Sequence, residues 1–290
     1  MRQFEAPFQI GKLGIHAALL RLMPYVRQAG RIAFALQPAI RASTNLTEKG
    51  GSRFGSALTD ADLIIEDRFG GDLLTLFSDA SFCGEERAQD RISRYVPGDQ
   101  PYIVTLDPVN GTLYYRDGLP LFETIVTICD REWNILGAVA YRPAFEALGL
   151  PQLGDLFFAS GERGAYSNGV QGEEGLKLDT HDAPKVVYLD EAYSHKEDLV
   201  RRAGYTPVFP WRDYAGQPDW PYASCDVLTG ECRGILNPNA QLIDSAAFGF
   251  IAKRAGGIWE AGTFDPETLR YSYGLSASDP HTAELLRSLL

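Results

Sequence analysis

The stretch YIVTLDPVNGTLYYRDGLPLFETIVTI, Tyr102 to Ile128, decides how the chain is to be read. β-branched and apolar residues lead into Asp107, Pro108, Val109, Asn110, Gly111 and Thr112, and a second strand pattern closes the segment. Pro108 removes an amide donor and interrupts regular pairing, Gly111 permits a backbone conformation that other residues resist, and Thr112 offers a hydroxyl. Asn-Gly alone is a common hairpin turn. A bare hairpin, however, needs no acid directly after YIVTL, whereas a site that holds a cation at the end of a strand does.

Outward from this segment, the spacing predicts helices on one side and more strands on the other. From Ile15 to about Arg41 apolar residues recur at helical intervals, with Pro24 and Gly30 as interruptions, giving one long or two broken helices. STNLTEKGGSRFGSAL is polar and turn-rich and reads as a mobile surface loop, a candidate lid. A second helix opens at Thr59 with Asp62 three residues on, an acidic capping box, and is expected to bury Leu63, Ile64 and Phe69. SFCGEER, NILGAVAYRPAF and DLFFASGERGAYSNGV read as further strands joined by hairpins. Polar residues gather around DTHDAPK, so a first lobe is expected over 1–181 and a second over 182–290. In the second, VVYLDEAYSHKEDLVRRAGY reads as strand, turn and helix, and LIDSAAFGFIAKRAGGIWE as a helix from Asp244 to the Gly256-Gly257 pair, then a strand.

Composition narrows the class of function. A chain of 290 residues with 45% hydrophobic content can bury a sizeable core. A net charge of −11, from 38 acids and 27 bases, would repel a nucleic-acid polymer. Cys83, Cys129, Cys225 and Cys232 are widely spaced with no C-x-x-C pair, which points to reduced thiols in a cytoplasm rather than zinc or a disulfide framework. Lys12, His16 and Arg21 break any signal-peptide core, and no stretch reaches the roughly 18 apolar residues of a membrane span, so a soluble protein is expected.

Three acidic motifs remain. Gly84-Glu85-Glu86 follows a short apolar run, and a copy at Gly172 to Glu174 among polar residues is read as solvent-facing. The second motif is Asp107 to Thr112. The third is Ile243-Asp244-Ser245-Ala246-Ala247, where Asp244 fits a helix N-cap and, with two oxygens, can also hold a cation. In order and spacing these resemble the inositol monophosphatase-like family of magnesium-dependent, lithium-sensitive phosphatases. That family carries G-E-E, then D-P-[IVL]-D-G-T with an aromatic and G-x-P-x-F, then W-D-x-A-A. Tyr115, Gly118, Pro120 and Phe122 match the middle part, and Leu58-Thr59-Asp60-Ala61-Asp62 matches the family's V-T-x-A-D. The resemblance implies a layered α-β-α-β-α sandwich of the α/β (α+β) class, commonly a homodimer.

It also implies roles. Hydrolysis of a phosphate monoester brings water onto a phosphorus guarded by anionic oxygens, so cations are needed, and oxygen ligands favour magnesium. Glu85, Asp107 and the Val109 carbonyl would hold a first ion. Asp107, position 110 and Asp244 would hold a second, in a site of two or three ions. Asp62 and Thr112 would orient and deprotonate the water, and the amides of Gly111 and Thr112 would hold phosphate oxygens. For substrate contacts the nearest matches are Ser224, in Ala223-Ser224-Cys225, and Asn237, by counting back from Asp244. An asparagine at 237 in place of the family's hydroxyl-reading glutamate argues against plain inositol phosphate, and Ile243 replaces the family's tryptophan.

The main departure is Asn110, where the family has aspartate. An amide oxygen still coordinates magnesium but brings no formal charge, so the second ion should bind weakly. A loosely held ion recruited by substrate fits best, because the other ligands survive; a relic that binds without catalysing, or deamidation of the Asn-Gly bond, are the alternatives. The expected activity is hydrolysis of an inositol-like, sugar or histidinol phosphate, with a 3'(2'),5'-bisphosphate nucleotidase or fructose-bisphosphatase type as runner-up. The aromatics Trp211, Tyr214, Trp220 and Tyr222 read as packing under a loop, and His195 as surface. On these grounds alone, Asn110→Asp should lower the magnesium concentration needed for half-maximal activity.

Overall fold

The computed structural model describes residues 8–42, 47–48, 57–85, 100–119, 121–143, 154–167, 178, 183–213 and 224–290. The helices are α1 (Ile10–Leu13), α2 (Ile15–Ala42), α3 (Asp60–Leu76), α4 (Thr112–Arg116), α5 (Glu197–Arg202), α6 (Pro210–Asp213), α7 (Asp226–Thr229), α8 (Ser245–Arg254) and α9 (Pro280–Arg287). The strands of the first half are β1 (Thr47–Glu48), β2 (Ala57–Leu58), β3 (Ala80–Gly84), β4 (Tyr102–Asn110), β5 (Glu123–Asp130), β6 (Ile135–Arg142), β7 (Asp155–Ser160) and β8 (Gly164–Ser167). Those of the second are β9 (Val186–Leu189), β10 (Thr206–Val208), β11 (Gly234–Pro238), β12 (Ile258–Ala261), β13 (Phe264–Asp265), β14 (Arg270–Tyr271) and β15 (Tyr273–Ala277).

Strands β3 to β8 form one sheet in chain order. The expected hairpins join β4 through β8, while β3 runs parallel to β4. The second sheet has the order β10-β9-β11-β15-β12. Helices α2 and α3 bury Leu19, Leu22, Val26, Ile65 and Phe69 against one face of the first sheet. Helix α8 fills the space between the sheets, packing on β6 and β7 one way and on β12 and β15 the other. Helices α5 and α9 cover the far face of the second sheet through Val200, Leu285 and Leu286. The result is the layered α-β-α-β-α sandwich expected. No helix among the described residues is long and apolar enough to cross a membrane.

The structure decides between some sequence expectations and changes others. Helix α2 is one continuous helix, and its first free amides are capped at long range by Glu162, which accepts from Ile15 at 3.0 Å. Gly30 is not a break but a contact: a Cβ there would come within 2.6 Å of the Tyr141 ring on β6. Helix α3 turns Ala61, Asp62, Ile65, Glu66 and Phe69 inward and leaves Ile64 50% exposed, because two acids take part of the inward face expected to be apolar. The candidate lid lies largely outside the described residues; its described residues, 47–48 and 57–58, pair as β1 and β2. The 181/182 lobe boundary, Glu86, Pro120, the copy at Gly172 to Glu174, and Tyr214, Trp220, Tyr222 and Ala223 also lie outside them. His195 is exposed, as expected.

Gly30→Ala should gain helix propensity yet lose more to overpacking, since Tyr141 is fully buried and cannot swing aside. A net loss of about 1–2 kcal/mol is expected by urea denaturation; an unchanged midpoint would refute the close approach.

Candidate active site

In Tyr102 to Ile128, Asn110-Gly111 is not a two-residue hairpin turn: β4 carries a bulge and leads into α4 before β5 pairs back on it. β4 continues through Asp107 to Asn110, and its pairing with β5 slips between the two, so that Asp107 faces Ile125 and Asn110 faces Glu123. Pro108 has no amide for the ladder, and its carbonyl accepts instead from the Thr124 hydroxyl at 2.8 Å. Asp107 Oδ1 accepts from the Val109 amide at 3.0 Å, and the Thr112 hydroxyl donates to the Val109 carbonyl at 2.8 Å. Gly111 turns the chain with φ +87°, where a Cβ would also meet the Leu121 carbonyl at 2.7 Å. The short helix α4 that follows is pinned by the buried Gln37, whose amide donates to the carbonyls of Tyr115 and Leu119 at 3.0 and 2.8 Å. Tyr115 packs edge-on against Phe122 with centroids 4.9 Å apart.

Other elements bring acids to this strand end. Parallel pairing of β3 and β4 carries Glu85 alongside, its amide donating to the Leu106 carbonyl at 3.0 Å. Asp62, fully buried in the first turn of α3, accepts from both the amide and the hydroxyl of Thr59 at 2.8 and 2.7 Å, so the acidic capping box is present. Asp244 is the N-cap of α8 and accepts from the Ser245 amide.

These acids sense one another. Asp107 is 2% exposed, and burial first, then Glu85, Asp244 and Asp62, push its carboxyl well above the usual range. Burial and Glu85 raise Asp244 to about 7, although Ser245 and Arg270 act the other way. Among the described residues no three His, Cys, Asp or Glu side chains form a group that could hold a metal ion as they stand. The acids are electrostatic neighbours at one end of the sheet without forming a closed cage. The donors that meet there are all oxygen, the chemistry that suits a hard divalent cation.

The remaining predicted residues lie beside them. Asn110 donates to Ser224 Oγ at 3.2 Å and to Glu123 Oε2 at 2.9 Å. Asn237 approaches Ser245, the residue after Asp244, at 3.4 Å. Ser224, Asn237 and Ser245 line one cleft together with Ile235, Phe248, Trp259, Gly274 and Ser276. Among the described residues, the buried acids Glu66 and Glu123 beside this site escaped the sequence reading. Glu66 sits one helical turn beyond Asp62, against Gly84, where a Cβ would come within 2.0 Å of its carboxyl carbon. Glu123 is 2% exposed on β5; burial raises its carboxyl while Arg142, Cys225 and Asn110 pull it back. The signals were there: an i, i+4 acid pair in α3, and one acid inside LFETIVTI.

A sequence profile of the inositol monophosphatase family matches residues 23–290. The chain is 28% identical over 219 residues to a fructose-1,6-bisphosphatase/inositol-1-monophosphatase of Aquifex aeolicus, covering 74% of this chain and 75% of that one. It is 26% identical over 203 residues to a histidinol-phosphatase of Streptomyces coelicolor, covering 64% and 73%. Among solved structures it resembles the extragenic suppressor protein suhB of Bartonella henselae, with TM-score 0.71, 19% identity and 94% and 98% coverage. It also resembles an IMPase/NADP phosphatase complexed with Mg2+ and phosphate, with TM-score 0.66, 15% identity and 93% and 95% coverage. At these identities the structural likenesses speak to the fold.

An acid whose pKa is raised by folding holds its proton more tightly in the native state, so stability falls as pH rises from the unfolded value near 4 toward the folded one. For Asp244 that window runs from about 4 to about 7. Asp244→Asn keeps a good N-cap and removes the charge. In a chelator, its Tm should match wild type near pH 4 and exceed it by about 2–4 °C at pH 8; a pH-independent difference would argue against the cluster.

Proposed function

The chain belongs to the inositol monophosphatase family and is a phosphoric monoester hydrolase acting on small phosphate substrates, and from that premise we propose how its residues do so. The observation that carries the reading is Asp107: burial and further carboxylates act on it, and every one of these influences raises its pKa. Such a site is built to be neutralised from outside. Magnesium, when bound, would supply that charge and acidify an attacking water.

In this reading Glu85, Asp107 and the Val109 carbonyl hold one ion, and Asp107, Asn110 and Asp244 hold a second, weaker one. The Thr112 hydroxyl, held at the Val109 carbonyl, and Asp62, fixed by the two donors of Thr59, orient the water and accept its proton. The amides of Gly111 and Thr112 hold the phosphoryl oxygens. The two lobes, 1–181 and 182–290, meet at the site, the second supplying Asp244 and the cleft that receives the alcohol.

None of the described residues lining that cleft is charged; hydroxyls, an amide and the Phe248 and Trp259 rings make up its polar and aromatic surface. This favours a neutral polyol or sugar monophosphate over a bisphosphate, whose second phosphate calls for cations, with histidinol phosphate as the other monoester to test. By the same family argument the protein is a lithium-inhibited homodimer. Its described cysteines, all buried free thiols, suit a reducing cytoplasm.

Phosphate release should be assayed across inositol, sugar, histidinol and bisphosphate substrates. With magnesium the expected result is turnover of a monophosphate, abolished by chelator and inhibited by lithium, from a species of about twice 32.0 kDa by gel filtration. Asp62→Asn should lower kcat by about 10²–10⁴-fold. No release from any substrate with magnesium present would leave the relic reading standing.

A further inference from the structure

Asn110 and Glu123 are direct partners across the β4–β5 ladder, immediately past the bulge. A carboxamide has two N–H donors and one oxygen acceptor. The nitrogen of Asn110 meets two oxygens, Glu123 Oε2 at 2.9 Å and Ser224 Oγ at 3.2 Å. That fixes which way round the amide lies, nitrogen toward Glu123 and Ser224 and oxygen away from them. Glu123 itself is 2% exposed, and among the described residues, besides Asn110, its carboxylate has only Cys225 and the Arg142 charge acting to hold it ionised. The nearby guanidinium of Arg142 is engaged by Asp155 at 2.6 Å and Asp226 at 3.6 Å, so one cation faces three acids. A buried carboxylate held in this way costs stability, and the letters around it give no packing reason for an acid there.

We propose that Glu123 is the positioning residue for position 110: it holds the Asn110 amide so that Oδ1 is offered to the second cation, and it supplies across the ladder the negative charge that an amide lacks. The inference rests on the reading of Asn110 as a second-cation ligand. It reverses the expectation drawn from sequence. A carboxylate at 110 would stand directly opposite Glu123 with no proton to donate, and like charges in that position repel. Asn110→Asp alone therefore should not tighten the cation. Combined with Glu123→Gln, the same substitution restores the hydrogen bond with donor and acceptor exchanged, and returns the charge to position 110.

The test is a double-mutant cycle on the full chain, with Asn110→Asp, Glu123→Gln and both together. Magnesium binding in the presence of inorganic phosphate is followed by calorimetry and, with manganese as probe, by electron paramagnetic resonance; Tm reports folding. Each single variant should weaken the weaker cation step about 10–100-fold, the range typical of residues that support a ligand. The tighter step should be unaffected. The double variant should return to within about threefold of wild type, a rescue that a merely structural role for Glu123 would not produce. Tightening by Asn110→Asp alone, or additive losses with binding otherwise intact, overturns this inference and leaves the proposed function standing. A folded wild type that binds neither ion overturns both.

Discussion

Asp107 lies 2% exposed at the end of a central strand, where burial and the acids Glu85, Asp244 and Asp62 raise its pKa and the Val109 amide is a donor to its Oδ1. Taking an isolated carboxylate out of water costs several kcal/mol, and adding like charges makes the cost larger. β4 is flanked by β3 and β5, so Asp107 sits on an interior strand and not at an edge of the sheet. A chain that keeps such a group must protonate it or neutralise it from outside. The second option makes the strand end a binding site for positive charge.

The layers explain how acids far apart in sequence share this place. Asp62 sits in the first turn of α3 in the outer layer, Glu85 and Asp107 at the ends of adjacent strands, and Asp244 at the start of α8 in the middle layer. Acids at helix N-termini gain about 0.3–1 kcal/mol each from the helix dipole, which moderates the repulsion. Their second duty as caps also holds them still. Thr59 spends two donors on Asp62, and Ser245 spends its amide on Asp244.

A second set of buried charges ties the strand end to the other sheet. Arg142 on β6 pairs with Asp155 on β7 and with Asp226 on α7, and Asp226 accepts from the Tyr188 hydroxyl on β9 at 2.9 Å. Buried pairs of this kind add little net stability, but breaking one leaves a charge uncompensated. The registry of the two sheets therefore bears on Glu123, and through it on Asn110. The carboxamide at 110 is one member of an arrangement that includes an acid thirteen residues on and a serine from the second half of the chain.

The resemblance carried by the three acidic motifs implied the fold class; the chain's own letters determined its element types, the caps at Thr59 and Asp244, and which acids stand at strand and helix ends. These depend on spacing within a few residues, which a sequence displays directly. The bulge at Pro108 and Val109, the inward turn of Asp62 and Glu66, the unbroken α2, and above all the opposition of Asn110 and Glu123 were decided only by the tertiary structure. Each depends on which surface lies across from which, and on how much water is excluded between them. Neither spacing nor composition carries that information.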